Sequence, residues 1–194
     1  MATAWPSALC PSSQNWGMEY NSRAFTSTLS NAQQIVAYPG AYWSCSMTFS
    51  ALTRADERLF TSFLGELQGM FGTFKLPAFT RARTDSIGSP VVGTANAQAS
   101  TMTVSGLGAN VQAFQPGDYI TVNDEMFEII RAVKANPSGA ATLYLNKRIR
   151  ANIPAGTAIE YRNPYSVMRL TDDSYSLSRS PLFTNSTIQC REAF

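Results

Sequence analysis

One amphipathic helix, in a chain that otherwise carries strand and turn signals, constrains the fold of this protein most strongly. Its apolar stripe is formed by five residues at helical spacing: Leu59, Phe60, Phe63, Leu64 and Leu67. Thr53 is a suitable N-cap, and Asp56 and Glu57 place negative charge in the first turn, where the helix dipole favours it. Gly69 is the expected stop, because glycine adopts a left-handed conformation without a steric penalty. The sequence therefore predicts a helix at about residues 53–68 that must cover an apolar sheet face.

The segment before the helix provides such a face. Residues 42–50 alternate strictly between apolar and hydroxyl-bearing side chains, and the apolar members are Trp43, Cys45, Met47 and Phe49. Further strands are expected at residues 18–25, 32–38, 71–76, 165–170, 175–180 and 184–193. These elements predict a mainly β fold, with an antiparallel sheet and one flanking α-helix.

Residues 83–162 differ in character from the sequence on either side. Short strands separated by turn residues are expected there, at residues 119–122, 126–133, 141–145 and 157–161. The pair Asn123-Asp124 predicts a tight hairpin turn. Such regular spacing indicates a small inserted β-barrel or sandwich. The predicted organisation is an N-terminal arm (1–17), a β-sandwich domain with the helix (18–82 plus 163–194) and the inserted β-domain (83–162).

The N-terminal arm carries two tryptophans that are candidate subunit contacts, Trp5 and Trp16. Tryptophan is enriched among the residues that dominate protein–protein binding, so the arm is predicted to reach a neighbouring subunit. An arm that folds on its own subunit is an equally open alternative.

Charge disfavours nucleic-acid binding as a primary function. The net charge is +2, and no segment concentrates the basic residues that phosphate neutralisation requires. One local cluster, formed by Lys147, Arg148 and Arg150, is predicted to lie in a solvated loop.

The residue inventory also argues against an enzyme. The chain has no histidine, which removes the commonest general base and the commonest zinc ligand. The three cysteines are far apart and are predicted to be small buried hydrophobes of a reducing compartment: Cys10, Cys45 and Cys190. No catalytic residue, cofactor site or metal site is predicted. An enzyme would need carboxylates to converge in one cleft, and the residues to inspect are Asp118, Glu125 and Glu160.

No apolar run reaches membrane-spanning length, and the first residues lack the pattern of a signal peptide. We therefore expect a soluble protein that is made in the cytoplasm and does not insert into a membrane.

Several short segments occur in a fixed order along nearly the whole chain. They are Trp5-Pro6, Leu9-Cys10-Pro11-Ser12, Phe25-Thr26-Ser27, residues 43–52 (WSCSMTFSAL), residues 63–69 (FLGELQG), Gly72-Thr73-Phe74, residues 116–120 (PGDYI), Val167-Met168-Arg169-Leu170 and residues 190–194 (CREAF). In this order, and with the ending Glu-Ala-Phe, the chain resembles the distal tail proteins of long-tailed, siphovirus-type bacteriophages.

The resemblance implies a β-sandwich related to the tail-tube fold, with a flanking helix and a small additional β-domain. It implies a non-enzymatic virion protein, made in the host cytoplasm, that forms a ring at the tail tip, usually a homohexamer. The implied partners are the tail tube protein, the tail-tip hub, fibre-associated proteins and the tape measure protein. DNA and the tape measure would pass through the ring without sequence-specific recognition.

Two alternatives accompany this expectation. The chain could be another minor tail or tube-terminating protein. Residues 83–162 could instead form a receptor- or glycan-binding module, which would require an exposed aromatic cluster or a pocket; their short length and scarcity of aromatic-rich loops argue against direct sugar binding.

Overall fold

A computed structural model describes residues 2–194, and within that range the protein is mainly β with one α-helix, as the sequence predicts. The strands are β1 (Thr3–Ala4), β2 (Ser13–Glu19), β3 (Ser22–Thr26), β4 (Gln33–Ala37), β5 (Tyr42–Leu52), β6 (Phe74–Pro77), β7 (Gly88–Thr94), β8 (Thr101–Leu107), β9 (Gln112–Phe114), β10 (Tyr119–Val122), β11 (Glu125–Glu128), β12 (Val133–Lys134), β13 (Ala141–Tyr144), β14 (Ile159–Glu160), β15 (Tyr165–Leu170), β16 (Ser178–Arg179) and β17 (Thr184–Glu192). The helix α1 spans Arg54–Leu67, and a short 3-10 turn follows β6 at Phe79–Arg81.

The largest sheet, called the principal sheet below, has seven strands. Its order is β1-β6-β15-β17-β5-β2, and β16 pairs with the first two residues of β17. The β1–β6 pair is parallel, and the other pairs are antiparallel. The predicted strands at 42–50, 165–170 and 184–193 are confirmed as β5, β15 and β17. The strand expected at 175–180 is wrong in extent, because β16 has only two residues, both exposed.

Helix α1 covers the apolar face of β5, as predicted. Four residues of its stripe are buried against β5, β6 and β17, and Leu59 is partly buried at the margin. Thr53 and Asp56 form a reciprocal capping box at the first turn. At the other end Gln68, with φ of 52°, adopts the left-handed conformation one residue before the predicted stop, and Gly69 continues it with φ of 70°.

Two segments of the predicted arm pair within the principal sheet. β1 lies beside β6, and β2 pairs with β5 from Ser13 opposite Thr48 to Glu19 opposite Tyr42. The strand predicted at 18–25 is therefore two strands, because β2 ends at Glu19 and β3 begins at Ser22. The sequence of β2 gave too short an alternating signal to predict a strand, because Trp16 and Met18 are its only large apolar residues.

The segment from Ile87 to Tyr161, within the middle region (residues 83–162), surrounds a core of its own, separate from the core under α1. Strand order is β13-β8-β7 in one small sheet and β11-β10-β14 in another, while β9 pairs with β12. The predicted hairpin turn is confirmed, since Asn123 and Asp124 have φ of 51° and 64° between β10 and β11. The return strand is shorter than predicted, because β12 turns away to pair with β9.

A third small cluster joins the two cores. The Trp43 side chain, at the start of β5, packs with Tyr119 and Met126 of the middle region, and its indole N–H donates to the Met126 carbonyl oxygen at 2.9 Å. Nearby, the Thr121 hydroxyl donates to the carbonyl oxygen of Tyr165 and accepts from its backbone N–H. The middle region is thereby held directly against the start of β5 and β15.

Candidate assembly surface

A β-hairpin formed by β3 and β4 lies outside all three cores. Its strands pair antiparallel in five register positions, from Ser22 opposite Ala37 to Thr26 opposite Gln33. The connecting turn is stabilised by the Ser27 hydroxyl, which accepts from two backbone N–H groups, and by Asn31 in the left-handed conformation. The sequence predicted a strand on each side of this turn, at residues 18–25 and 32–38, and the structure has both β3 and β4.

The hairpin carries large apolar side chains that remain exposed to solvent in the subunit. None of the ten residues in Ser22–Thr26 and Gln33–Ala37 is buried, and the exposed fractions are 56% for Phe25, 66% for Ile35 and 99% for Leu29 in the turn. An isolated two-stranded hairpin is marginally stable in water, because no further strand or helix covers its apolar side chains. Large exposed apolar side chains concentrated in one small element are a feature of protein–protein contact sites.

Both faces of the hairpin are apolar in part. The register places Ile35 beside Ala24 on one face, and Phe25 lies on the other face, which also carries Val36. Residues 20–41 contain a single charged side chain, Arg23. A strand edge that lacks charges has little protection against pairing with another chain. The hairpin is therefore suited to insertion between two protein surfaces.

The edge of the principal sheet continues this surface. β2 forms that edge, has β5 as its only partner in the sheet order, and leads through Tyr20 and Asn21 into β3. Glu19 is its one charged residue. We call β2 together with the β3–β4 hairpin the assembly surface.

The two predicted contact residues occupy different environments. Trp5 is 7% exposed, its ring lies 5.1 Å from that of Phe63, and its indole N–H donates to the Leu9 carbonyl oxygen at 2.7 Å. This placement corresponds to the alternative in which the arm folds on its own subunit. Trp16 is half-buried on the edge strand, with its ring edge-on to Trp43 at 5.9 Å. Only Trp16 of the pair thus belongs to the assembly surface.

Phe25, Leu29 and Ile35, which dominate the assembly surface, were not selected as contacts from the sequence. Their signal was present: three large apolar residues stand in a predicted hairpin that has almost no charge. The alternation of apolar residues predicted strands but not their exposure. Both faces of the hairpin are exposed because the whole hairpin projects from the subunit.

A second exposed apolar group lies at the opposite end of the strands. It comprises Leu182 and Phe183, with exposed fractions of 79% and 47%. This group is close to the end of the sheet where Thr184 pairs with Leu52, whereas the hairpin leaves from the other end of β5. The subunit therefore has exposed apolar side chains at both ends of its principal sheet.

Four charged side chains form a buried network between β17 and the middle region. Lys147 Nζ lies 2.6 and 2.8 Å from the two carboxylate oxygens of Glu192 and 3.2 Å from Glu125, and Arg150 lies 2.8 Å from Glu192. The Lys147 and Glu192 side chains are each 1% exposed. The prediction of a solvated loop is thus wrong for Lys147, because its charge is paired with an acid 45 positions away in the sequence.

This network, called the buried ion-pair cluster below, fixes the end of β17. The backbone N–H of Trp43 donates to Glu192 at 3.0 Å, and the Arg150 guanidinium lies over the Phe194 ring at 4.2 Å. Burial lowers the pKa of Lys147, and the two neighbouring carboxylates oppose that shift. The cluster holds the middle region and the principal sheet in one arrangement.

The carboxylates considered for catalysis have separate partners. Asp118 pairs with Arg83 at 2.9 Å, Glu125 belongs to the buried ion-pair cluster, and Glu160 accepts from the backbone N–H groups of residues 162 and 163 at 2.8 Å. Among residues 2–194, no three or more histidine, cysteine, aspartate or glutamate side chains group as metal ligands. Cys45 and Cys190 are buried register partners on β5 and β17, whereas Cys10 is exposed, contrary to the prediction that all three are buried.

No protein-family model matches the chain, and neither does any curated protein. In the part of the chain that the structure describes, every helix is too short or too polar to cross a membrane.

Proposed function

We propose that this protein is a structural ring subunit at the distal end of a siphovirus-type bacteriophage tail. The observation that carries the proposal is the β3–β4 hairpin, whose apolar residues are exposed on both faces and need a neighbouring protein to cover them. The phage assignment rests on the ordered sequence segments described above.

In the proposed assembly, identical subunits form a closed ring, in which the assembly surface of each subunit contacts a different surface of the next one. The hairpin and edge strand provide such a surface, with few charges to desolvate on contact. The ring, a homohexamer by the resemblance, would join the tail tube to the tail-tip hub and the fibre-associated proteins. DNA and the tape measure protein would pass through its centre, and the protein would act without enzymatic chemistry as part of the virion.

The mass of the purified protein in solution, measured by light scattering over a concentration series, tests the self-assembly that this function requires. We expect a hexamer or a mass that rises toward one. The double variant Phe25→Ser/Ile35→Ser should raise the dissociation constant about 100-fold or more, because each apolar side chain contributes roughly 1.5–3 kcal/mol when buried.

Leu182→Ser is the matched control, since Leu182 is as exposed as the hairpin residues but lies at the other end of the sheet. Equal dissociation of both variants would contradict the assignment of the contact to the hairpin. A wild-type protein that stays monomeric alone and when mixed with the tail tube protein would contradict the ring itself. Negative-stain images of that mixture would separate the proposed role from that of a tube-terminating protein.

A further inference from the structure

The base of the hairpin forms one wall of a pocket whose other wall belongs to the middle region. The pocket has a volume of about 230 Å³. Its lining residues include Tyr20, Asn21, Tyr38, Ser100, Asn146 and Arg148. This volume is below the roughly 300–1,000 Å³ of sites for drug-sized ligands, so the pocket suits a single ring.

The hairpin wall presents two tyrosine rings. Tyr20 and Tyr38 are 65% and 46% exposed. The Tyr20 hydroxyl donates to the Asn146 carbonyl oxygen at 3.4 Å, and the Tyr38 backbone N–H donates to the Asn21 carbonyl oxygen at 2.7 Å. The first bond links the Tyr20 side chain to the opposite wall, and the second closes the base of the hairpin at Tyr38.

The charge at the pocket is positive and comes from one residue. Lys147 contributes to the lining, but its ammonium group is neutralised within the buried ion-pair cluster. Arg148 is exposed and makes no ion pair with any residue in 2–194. Among the described residues, no carboxylate lines the pocket. An anionic group would therefore meet an unpaired guanidinium and no repulsion from acids.

We propose that this pocket binds one pyranose ring that carries a carboxylate, as a uronic acid does. The C–H face of the sugar packs on the tyrosine rings, and its hydroxyl groups bond to the polar lining side chains. Its carboxylate pairs with the Arg148 guanidinium. The aromatic residues come from the hairpin, so the site lies at the border of the middle region, whereas the sequence-based alternative placed a glycan site inside it.

The pocket shares Ser22 and Ala37 with the assembly surface but lies at the base of the hairpin, away from the exposed Leu29 in the turn. The hairpin strands carry five register pairs, which separate the Tyr20–Tyr38 base from the turn by about 13 Å at 3.3 Å per residue. A flat apolar surface fits a protein partner, whereas a concave wall with amide, hydroxyl and guanidinium groups fits a small polar ligand. The two proposals are tested by different readouts, sugar binding and solution mass, so each can fail while the other holds.

Binding of methyl β-glucuronide and methyl β-glucoside to the full chain, measured by saturation-transfer NMR titration, tests the proposal. We expect the wild type to bind the glucuronide more tightly than the glucoside. Arg148→Gln should weaken glucuronide binding about tenfold and leave glucoside binding unchanged, because a hydrogen bond to a charged group is lost. Tyr38→Ala should weaken binding of both sugars.

Leu182→Ser, remote from the pocket, is the matched control and should bind both sugars as the wild type does. Circular dichroism and the solution mass of each sample show whether a variant has lost its fold or its assembly. Failure of folded wild-type protein to bind either sugar would overturn the proposal. Equal affinity for both sugars, or glucuronide binding that Arg148→Gln does not change, would overturn the role of the carboxylate.

Discussion

Replacement of Lys147 with methionine would remove the central cation of the buried ion-pair cluster while keeping the side chain's length and apolar stem. Glu192, 1% exposed, would then lose two short contacts at 2.6 and 2.8 Å, and Glu125 would lose one at 3.2 Å. Breaking a buried pair by removing one partner costs about 3–5 kcal/mol, because the remaining charge stays buried without compensation.

The expected cost lies at the lower end of that range. Arg150 remains 2.8 Å from Glu192 and keeps part of its charge compensated. We therefore expect Lys147→Met to reduce the free energy of unfolding by about 3 kcal/mol, or to lower Tm by roughly 6–12 °C for a chain of this size. Guanidinium-induced unfolding, followed by tryptophan fluorescence, measures the free energy of unfolding directly. Trp43 is a suitable probe, since it lies where the two cores meet and its backbone N–H donates to Glu192.

The neighbouring substitution Arg148→Met is the matched control. It removes the same charge from an exposed side chain and should change stability by no more than about 0.5 kcal/mol. In a double-mutant cycle with Glu192→Gln, which keeps an acceptor for the Trp43 N–H, the two losses should not add. A Lys147→Met variant as stable as Arg148→Met would refute the conclusion that this network holds the two cores together.

Three further predictions concern local structure and pH. Gly65→Ala should stabilise the protein by about 0.5–1 kcal/mol in thermal unfolding, because Gly65 is inside α1 with nothing within 4 Å of an added Cβ. Gly69→Ala should destabilise it by about 1–2 kcal/mol, because of its φ of 70° and the crowding of an added Cβ by the chain around residue 173. Hydrogen bonds from Tyr165 and Lys75 lower the pKa of Asp124, so its contribution is present above the unfolded-state pKa and is lost as pH falls through the folded-state pKa. Asp124→Asn should therefore flatten the acid side of the stability–pH curve slightly, since this carboxylate is half exposed; an unchanged acid limb would contradict the assignment.

Features encoded by local pattern were predictable from the sequence. The α1 stripe, its Thr53 cap and the alternation along β5 all depend on residues that are close in the sequence, and the structure has them within one or two positions. β7 and β8 were missed, because their alternation is diluted by glycine, serine and threonine; Gly106 is needed there, where an added Cβ would meet a backbone oxygen.

Features that depend on distant partners were not predictable in this way. Lys147 was expected to be solvated because its partner Glu192 is supplied by the last strand. The hairpin was recognised as two strands, but its lack of contact with the three cores follows from the path of the chain at residues 20–21 and 38–41. The pocket at the base of the hairpin could not be predicted from the sequence for the same reason, since its two walls are about 100 residues apart in the chain.

The central position of β17 has a consequence for how the chain folds during synthesis. Cys45 and its register partner Cys190 are 145 residues apart, so the ribosome needs on the order of 10 s to make the strand that completes this pair. During that interval the middle region, whose core comes from consecutive sequence, can fold alone. β5 would meanwhile present an unpaired edge and a bare apolar face, but α1 follows it immediately and can cover the face. The helix thus protects the apolar face of β5 from aggregation until β17 has been synthesised.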